Sequence, residues 1–288
     1  MISVIICTSD PNKIIDIEKN ISNTIGVAYE LIIIDNSKLE YNIFQAYNIG
    51  VKRSRYQILC FMHDDIVYHS NNWGFEVMKH FDHPETGMIG VSGTRFLSSI
   101  PTVWWAGWHK LNNSNSGILC QNSINTNRNN INESNHILIN PENSVSSKVV
   151  IIDGLWFSIR KTLFEKIEFD DKNYKGFHFY DLDISMQIYK LKFNNLCVFN
   201  ILIEHISASN HDLEWVENCN IFYHKWKRYL PLSITRLSFK QLLTVEYFAI
   251  KIFRNIHKAN NIKFLFVKFS RSISISNLII YHLKALIR

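Results

Sequence analysis

The sequence predicts an α/β fold of three layers, with helices on both faces of a mainly parallel sheet and a mostly helical extension after it. Three observations carry this reading. Short apolar, largely β-branched runs occur at residues 2–7, 30–34 and 58–62, and segments with helical periodicity at 14–25 and 44–55 separate them. Each run also ends in polar residues: Thr8-Ser9-Asp10, Asp35-Asn36-Ser37 and His63-Asp64-Asp65. In open α/β sheets, ligands bind outside the carboxyl ends of the strands, so these clusters face one crevice.

The first two runs and the segment between them form a β-α-β unit, and the helix at 44–55 leads into the central strand, residues 58–62. Gly50 inside that helix is costly unless another backbone packs closely against it. A helix follows at 73–81, then strands at 87–92 and 148–152, the segment 155–159, and a short helix around 163–167. The helix that opens after Gly176 runs to about residue 191, a strand follows at 196–203, and a further helix is expected over 212–229. Residues 109–148 hold 12 Asn in 40 positions with little periodicity, which predicts a long polar loop. Trp104, Trp105 and Trp108 precede it, either to stack on sugar rings or to anchor the loop.

At 288 residues, 47% hydrophobic and 13% aromatic, the chain can bury a sizeable core, which excludes a disordered or fibrous protein. Its five cysteines are scattered without CxxC spacing, as expected of free thiols in a reducing compartment. The opening MISVIICTSD lacks the basic region and apolar length of a signal peptide, so a cytoplasmic location is expected. The net charge of +6 is uneven: residues 225–288 carry 13 Lys and Arg against Glu246, leaving 18 basic and 24 acidic residues before them.

Two carboxylates and an imidazole at the end of a buried strand need compensation for lost hydration. A divalent cation bridging to phosphate oxygens supplies it at His63, Asp64 and Asp65, whereas the simpler alternative is turn capping. Capping is equally open for Thr8 and Asp35 taken singly. Asp181 and Asp183 sit in the first turn of a helix, where carboxylates are favoured by free amides. The preceding GFHFY, however, forms an aromatic wall, and desolvation beside it raises carboxylate basicity as a general base requires. His205 closes the 196–203 strand and matters chemically only if that strand end meets Asp65.

Taken in order, SVIICT, LIIIDNS, AYNIGV, CFMHDDI, IDGLWFSIR, GFHFYDLDIS and IEHIS resemble the A-type glycosyltransferase fold, a Rossmann-like three-layer sandwich. The resemblance is to the glycosyltransferase family 2 superfamily, in a bacterial subgroup with HxD in place of DxD, and it covers residues 1–210. It implies that Thr8 and Asp35 hold the nucleotide base and that Asp64 sits by the ribose. Asp65 would coordinate Mn²⁺ or Mg²⁺ on the diphosphate, with His63 in the place of the usual first Asp and His205 as a late ligand. Asp153 and Gly154 would line the donor-sugar pocket. Asp181 would be the general base, with Asp183 near the substrate as its rival because Tyr180 replaces the usual Glu. The implied reaction is inverting transfer of a hexosyl or N-acetylhexosaminyl group from a UDP-sugar to a hydroxyl of a glycan or lipid-linked acceptor, in bacterial surface polysaccharide or glycan synthesis.

The domains expected are a catalytic unit over 1–210 and a basic helical extension over 211–288. Within the latter, Leu242, Val245, Ala249, Ile252, Phe253 and Ile256 form an apolar stripe opposite Lys240, Tyr247, Lys251, Arg254 and Lys258. Such a stripe can lie on an anionic membrane, here the inner face of the plasma membrane, or pack on the domain or on a second subunit. A nucleic-acid partner is not expected, since no binding module surrounds the basic residues. Two rival functions remain: a nucleotidylyltransferase, which lacks support because residues 8–11 are not a Gly-rich basic loop, and a catalytically silent carbohydrate-binding or scaffold protein of a glycan-synthesis cluster.

Overall fold

The computed structural model describes residues 1–106, 117–207 and 212–259; Trp108 and the tail beyond 259 lie outside them. A seven-stranded sheet runs in the order β10 (Ser146–Val149), β13 (Asn194–Val198), β5 (Thr86–Gly90), β12 (Trp156–Arg160), β3 (Ile58–Met62), β1 (Ile2–Thr8), β2 (Tyr29–Asp35). β1 lies parallel to both β2 and β3, while β12 runs antiparallel between β3 and β5.

Alternate side chains of these strands feed two cores, as the two-residue period of a strand requires. Ile5, Leu59, Phe61 and Phe157 pack on one face, and Ile2, Val4, Ile6, Cys60, Met62 and Trp156 on the other. α2 (Ile43–Arg53) and α4 (Tyr180–Lys190) cover the first face. α1 (Ile14–Thr24) and α3 (Trp73–Phe81) cover the second. This is the expected three-layer α/β fold. A capping box of Asn42 and Gln45 starts α2, and Gly50 lets it approach β1, since a Cβ there would stand 2.3 Å from Ile5 Cγ2.

A second sheet, β11 (Ile151–Ile152), β6 (Ser92–Thr94), β8 (Leu119–Asn127), β14 (Ile203–Ser207) and β4 (Ile66–Tyr68), stands over the carboxyl ends of the first. β9 (Asn130–Ile139) pairs with β8. A small ribbon joins β7 (Phe96–Leu97) to β15 (Leu232–Ser233). The described part of 109–148 is therefore largely a long β-hairpin rather than a polar loop. Asparagine is a poor strand former, but neighbouring strands β6 and β14 supply the ladder, and Thr126–Ser134 and Asn122–His136 hydrogen bonds tie the hairpin across its strands. The expected strands at 148–152 and 196–203 each divide between the two sheets, which separates β10 from β11 and β13 from β14.

One core also runs across residue 210. In α5 (Leu213–Trp226), Trp215, Cys219, Phe222 and Trp226 join the core that holds Phe44 and Tyr180. In α6 (Phe239–Ala259), Leu242, Val245, Ala249 and Phe253 are fully buried on the domain, and Glu246 accepts hydrogen bonds from Ser98 Oγ and Ser99 N. The apolar stripe that could have met a membrane is thus covered by the chain itself. No helix among the described residues is long and apolar enough to cross a membrane. Deleting residues 239–288 is expected to remove more than about 5 kcal/mol of burial, at roughly 1.5–3 kcal/mol per large apolar side chain. The shortened protein should unfold or aggregate under conditions in which the full chain melts cooperatively; an unchanged melting temperature would contradict this packing.

Candidate active site

The strand β3 ends at Met62, and His63, Asp64 and Asp65 form the turn into β4. The His63 amide donates to the Leu155 carbonyl (3.1 Å), which fixes this turn against the segment leading into β12. The antiparallel pairing of β4 with β14 sets His205 opposite Ile66, and the Ile206 amide donates to the Asp65 carbonyl (3.0 Å). Three side chains converge as a result: His63 Nδ1 lies 3.4 Å from His205 Nε2, and Asp65 Oδ1 lies 3.3 Å from His205 Nε2 and 3.9 Å from His63 Nδ1. One donor atom from each falls within 4.8 Å of the others.

Asp65 Oδ1 is buried with no hydrogen-bond partner, whereas its other oxygen is held by the Arg128 guanidinium from the β8–β9 turn. Arg128 also donates to the Ile206 carbonyl, so it clamps β4 to β14. Burial would raise the Asp65 carboxyl, but His205, His63 and Arg128 outweigh it and hold Asp65 below the usual carboxylate range. Burial, reinforced by His205, pushes His63 down to about 4, so its ring is neutral. A neutral imidazole, an ionised carboxylate with an orphaned oxygen and a second imidazole are a donor set that fits a divalent cation.

The second half of the site hangs on Gly154. Its amide donates to Asp181 Oδ2 (2.8 Å) and its carbonyl accepts from the Tyr180 hydroxyl (3.0 Å). The same hydroxyl is 2.6 Å from His63 Nε2. Residue 154 must be glycine, because a Cβ there would lie 2.2 Å from the Tyr180 oxygen. Burial and then the neighbouring Asp153 raise Asp181 to about 8, and burial also raises Asp153, which accepts from Trp104 Nε1 (3.1 Å). Trp104, Trp105, Phe177, His178 and Trp215 surround these carboxyls in an inner pocket of about 160 Å³. It opens into a cleft of about 1110 Å³ that also reaches Asp64, Asp65, Arg128 and Asn125, enough for a ligand of nucleotide size.

A model of the glycosyltransferase-like family matches residues 3–229. The chain belongs to that family. No curated protein matches this glycosyltransferase. Among solved structures, GalNAc-T7 with UDP, GalNAc and Mn²⁺ is similar over 73% of the glycosyltransferase and 44% of its own chain, at 13% identity and a TM-score of 0.44. The glycosyltransferase therefore spans under half the length of that relative. The mannosyltransferase PcManGT from Pyrobaculum calidifontis, in complex with GDP-Man and Mn²⁺, is similar over 90% of the glycosyltransferase and 74% of its own chain, at 10% identity and a TM-score of 0.49.

Not every residue singled out in the sequence of the glycosyltransferase faces the cleft. His63, Asp64, Asp65, Asp153, Gly154, Asp181 and His205 all line the inner pocket or the cleft. Thr8 is buried, and its hydroxyl donates to Asp64 Oδ2 (2.6 Å), while Lys13 Nζ holds Asp64 Oδ1 (3.1 Å). Thr8 thus braces Asp64 and is outside the cleft lining. Asp35 pairs in register with Thr8 at the end of β2, is exposed, and accepts from the Ser37 amide (2.9 Å), a turn contact of its own. Asp183 is turned away from the cleft: Oδ1 accepts from Tyr174 Oη (3.1 Å) and Trp226 Nε1 (2.8 Å), and Oδ2 from Gln187 (2.8 Å) and Lys225 (2.9 Å). It is a structural tie between α4 and α5, which removes it as a rival to Asp181 and as a substrate contact. Sequence reasoning missed Lys13 and Arg128, since neither sits in a pattern that points to a distant carboxylate.

Proposed function

We propose that this glycosyltransferase moves a sugar from a nucleoside diphosphate donor, a UDP-sugar, to an acceptor hydroxyl with inversion, using a divalent cation at His63, Asp65 and His205 and Asp181 as general base. The observation that carries the proposal is the meeting, in one cleft, of a three-donor cluster with an orphaned carboxylate oxygen and a buried carboxyl of raised basicity. When bound, the cation neutralises charge that develops on the leaving diphosphate.

The chain's own residues do the rest. Arg128 and Tyr180 hold the far atoms of Asp65 and His63, leaving their near atoms free for the ion. Lys13 and Thr8 hold Asp64 at the cleft wall, beside the position proposed for the ribose, and Asp35, exposed at the end of β2, is the proposed base contact. The Gly154 amide aims the Asp181 carboxylate, which takes the acceptor proton as the hydroxyl attacks. One such base suffices for a single displacement with inversion. The aromatic rim, with Phe177 47% exposed, supports a glycan acceptor, since exposed rings at a polar pocket offer faces for sugar stacking. Free thiols at all five cysteines support the cytoplasmic placement. A donor set with two imidazoles supports Mn²⁺ over Mg²⁺, which prefers oxygen ligands.

Calorimetric titration of UDP with Mn²⁺, with Mg²⁺ and without metal, beside a GDP control, tests the proposal. UDP is expected to bind at least tenfold more tightly with Mn²⁺ than without, and more tightly than GDP. Equal affinity with and without metal would remove the cation from the reading, and absence of any nucleotide binding would favour the silent-scaffold alternative.

A further inference from the structure

Tyr180 touches both halves of the site but is neither a cation ligand nor the base. We propose that Tyr180 is the positioning residue that locks His63 in its Nε2–H tautomer and thereby keeps Nδ1 free as the ligand atom; the inference rests on reading the cluster as a cation site.

The argument is one of proton counting. A phenol has one proton, and the Gly154 carbonyl, 3.0 Å away, can only accept it. With that proton on the carbonyl, the phenol oxygen is the acceptor at the 2.6 Å contact with His63, and Nε2 carries the hydrogen. A neutral imidazole has a single N–H, which leaves a lone pair on Nδ1, the atom facing Asp65 and His205. Without Tyr180 the balance tips the other way. The Asp65 carboxylate, 3.9 Å from Nδ1, attracts an N–H at that position, and a hydrogen there would block the cation.

The surroundings hold the phenol too firmly for it to yield. Tyr180 is 3% exposed, and its ring is boxed by Tyr47 (5.5 Å), Phe44 (6.2 Å) and Phe157 (6.2 Å). The preceding Phe179 adopts φ 74°, an uncommon conformation for a bulky residue, and its ring packs on Trp215 (5.3 Å) and Phe222 (5.5 Å). That turn is what aims the phenol across Gly154 at His63 rather than along the helix.

Two measurements on the full chain at fixed pH test the inference. A long-range ¹H–¹⁵N spectrum of the metal-free, histidine-labelled wild type should give His63 a protonated Nε2 and an unprotonated Nδ1, and Tyr180→Phe should lose that pattern while keeping the ring packing. Mn²⁺ affinity, read by the signal of free Mn²⁺ in electron paramagnetic resonance, should fall about 10- to 100-fold in Tyr180→Phe. A protonated Nδ1 in the wild type, or Tyr180→Phe binding Mn²⁺ within twofold of wild type, overturns the role of Tyr180. Wild type that shows the expected tautomer yet binds no Mn²⁺ overturns the cation site itself, and with it the ligand role of Nδ1.

Discussion

Replacing Asp181 by asparagine is expected to cut turnover by roughly 10²- to 10⁴-fold, the share that a positioned general base supplies, while UDP affinity in the presence of Mn²⁺ stays within about twofold. The asparagine amide oxygen can still accept from the Gly154 amide, so the pocket keeps its shape, but it cannot take a proton. The pH dependence separates this from a packing defect. Asp181 acts only when ionised, and burial with Asp153 beside it lifts its carboxyl to about 8, so wild-type kcat/KM should climb with pH up to about 8 and then level off. The residual activity of Asp181→Asn should lack that limb. The stability linkage has the opposite sign. A carboxyl raised on folding favours the folded state fully below its unfolded value near 4, and that advantage is lost progressively as pH rises from there through about 8. Asp181→Asn removes the titrating group, so its melting temperature at pH 7–8 should equal or exceed that of wild type. A variant with near-wild-type turnover would take Asp181 out of the mechanism.

Asp183→Ala should do the reverse. Four donors converge on this carboxylate, and its removal strands Tyr174 Oη and Trp226 Nε1 in the core and leaves Lys225 with Asp170 alone. Breaking a buried ion pair from one side costs about 3–5 kcal/mol, and the lower end applies here because the Lys225 side chain is 32% exposed. The melting temperature should fall by roughly 6–12 °C, at about 2–4 °C per kcal/mol for a chain of this size. Below that temperature the variant should keep UDP binding and most of its turnover. If Asp183→Ala melts like wild type but loses turnover, the assignment of the two aspartates has to be exchanged.

That exchange could not be settled from the sequence, for a geometric reason. Residues two apart on an α-helix are separated by about 200° around the axis, so Asp181 and Asp183 point to opposite sides, and periodicity says that only one can face the cleft. Which one does depends on where Lys225 and Trp226 of α5 dock, about 40 residues further along the chain. The Asn-rich hairpin was hidden by a similar dependence on distant partners. Its strands have little intrinsic preference for extension and exist because β6 and β14 present open edges to β8. Arg128 rides on that hairpin to Asp65, and so was equally illegible.

The sequence by itself determined the frame: β1, β2 and β3 with the helices between them, the polar residues at their carboxyl ends, the close approach of α2 at Gly50, and the order of segments by which the family resemblance could be seen. These are local properties, fixed by apolar periodicity, capping and glycine geometry within a few tens of residues. Only the tertiary structure decided that His205 meets Asp65, that Tyr180 reaches His63 across Gly154, that Thr8 braces Asp64, and that the apolar stripe of α6 is covered by the domain. Each of these contacts joins segments far apart in the chain through strand pairing or helix docking. Neither composition nor spacing encodes which edge or face such a segment will find.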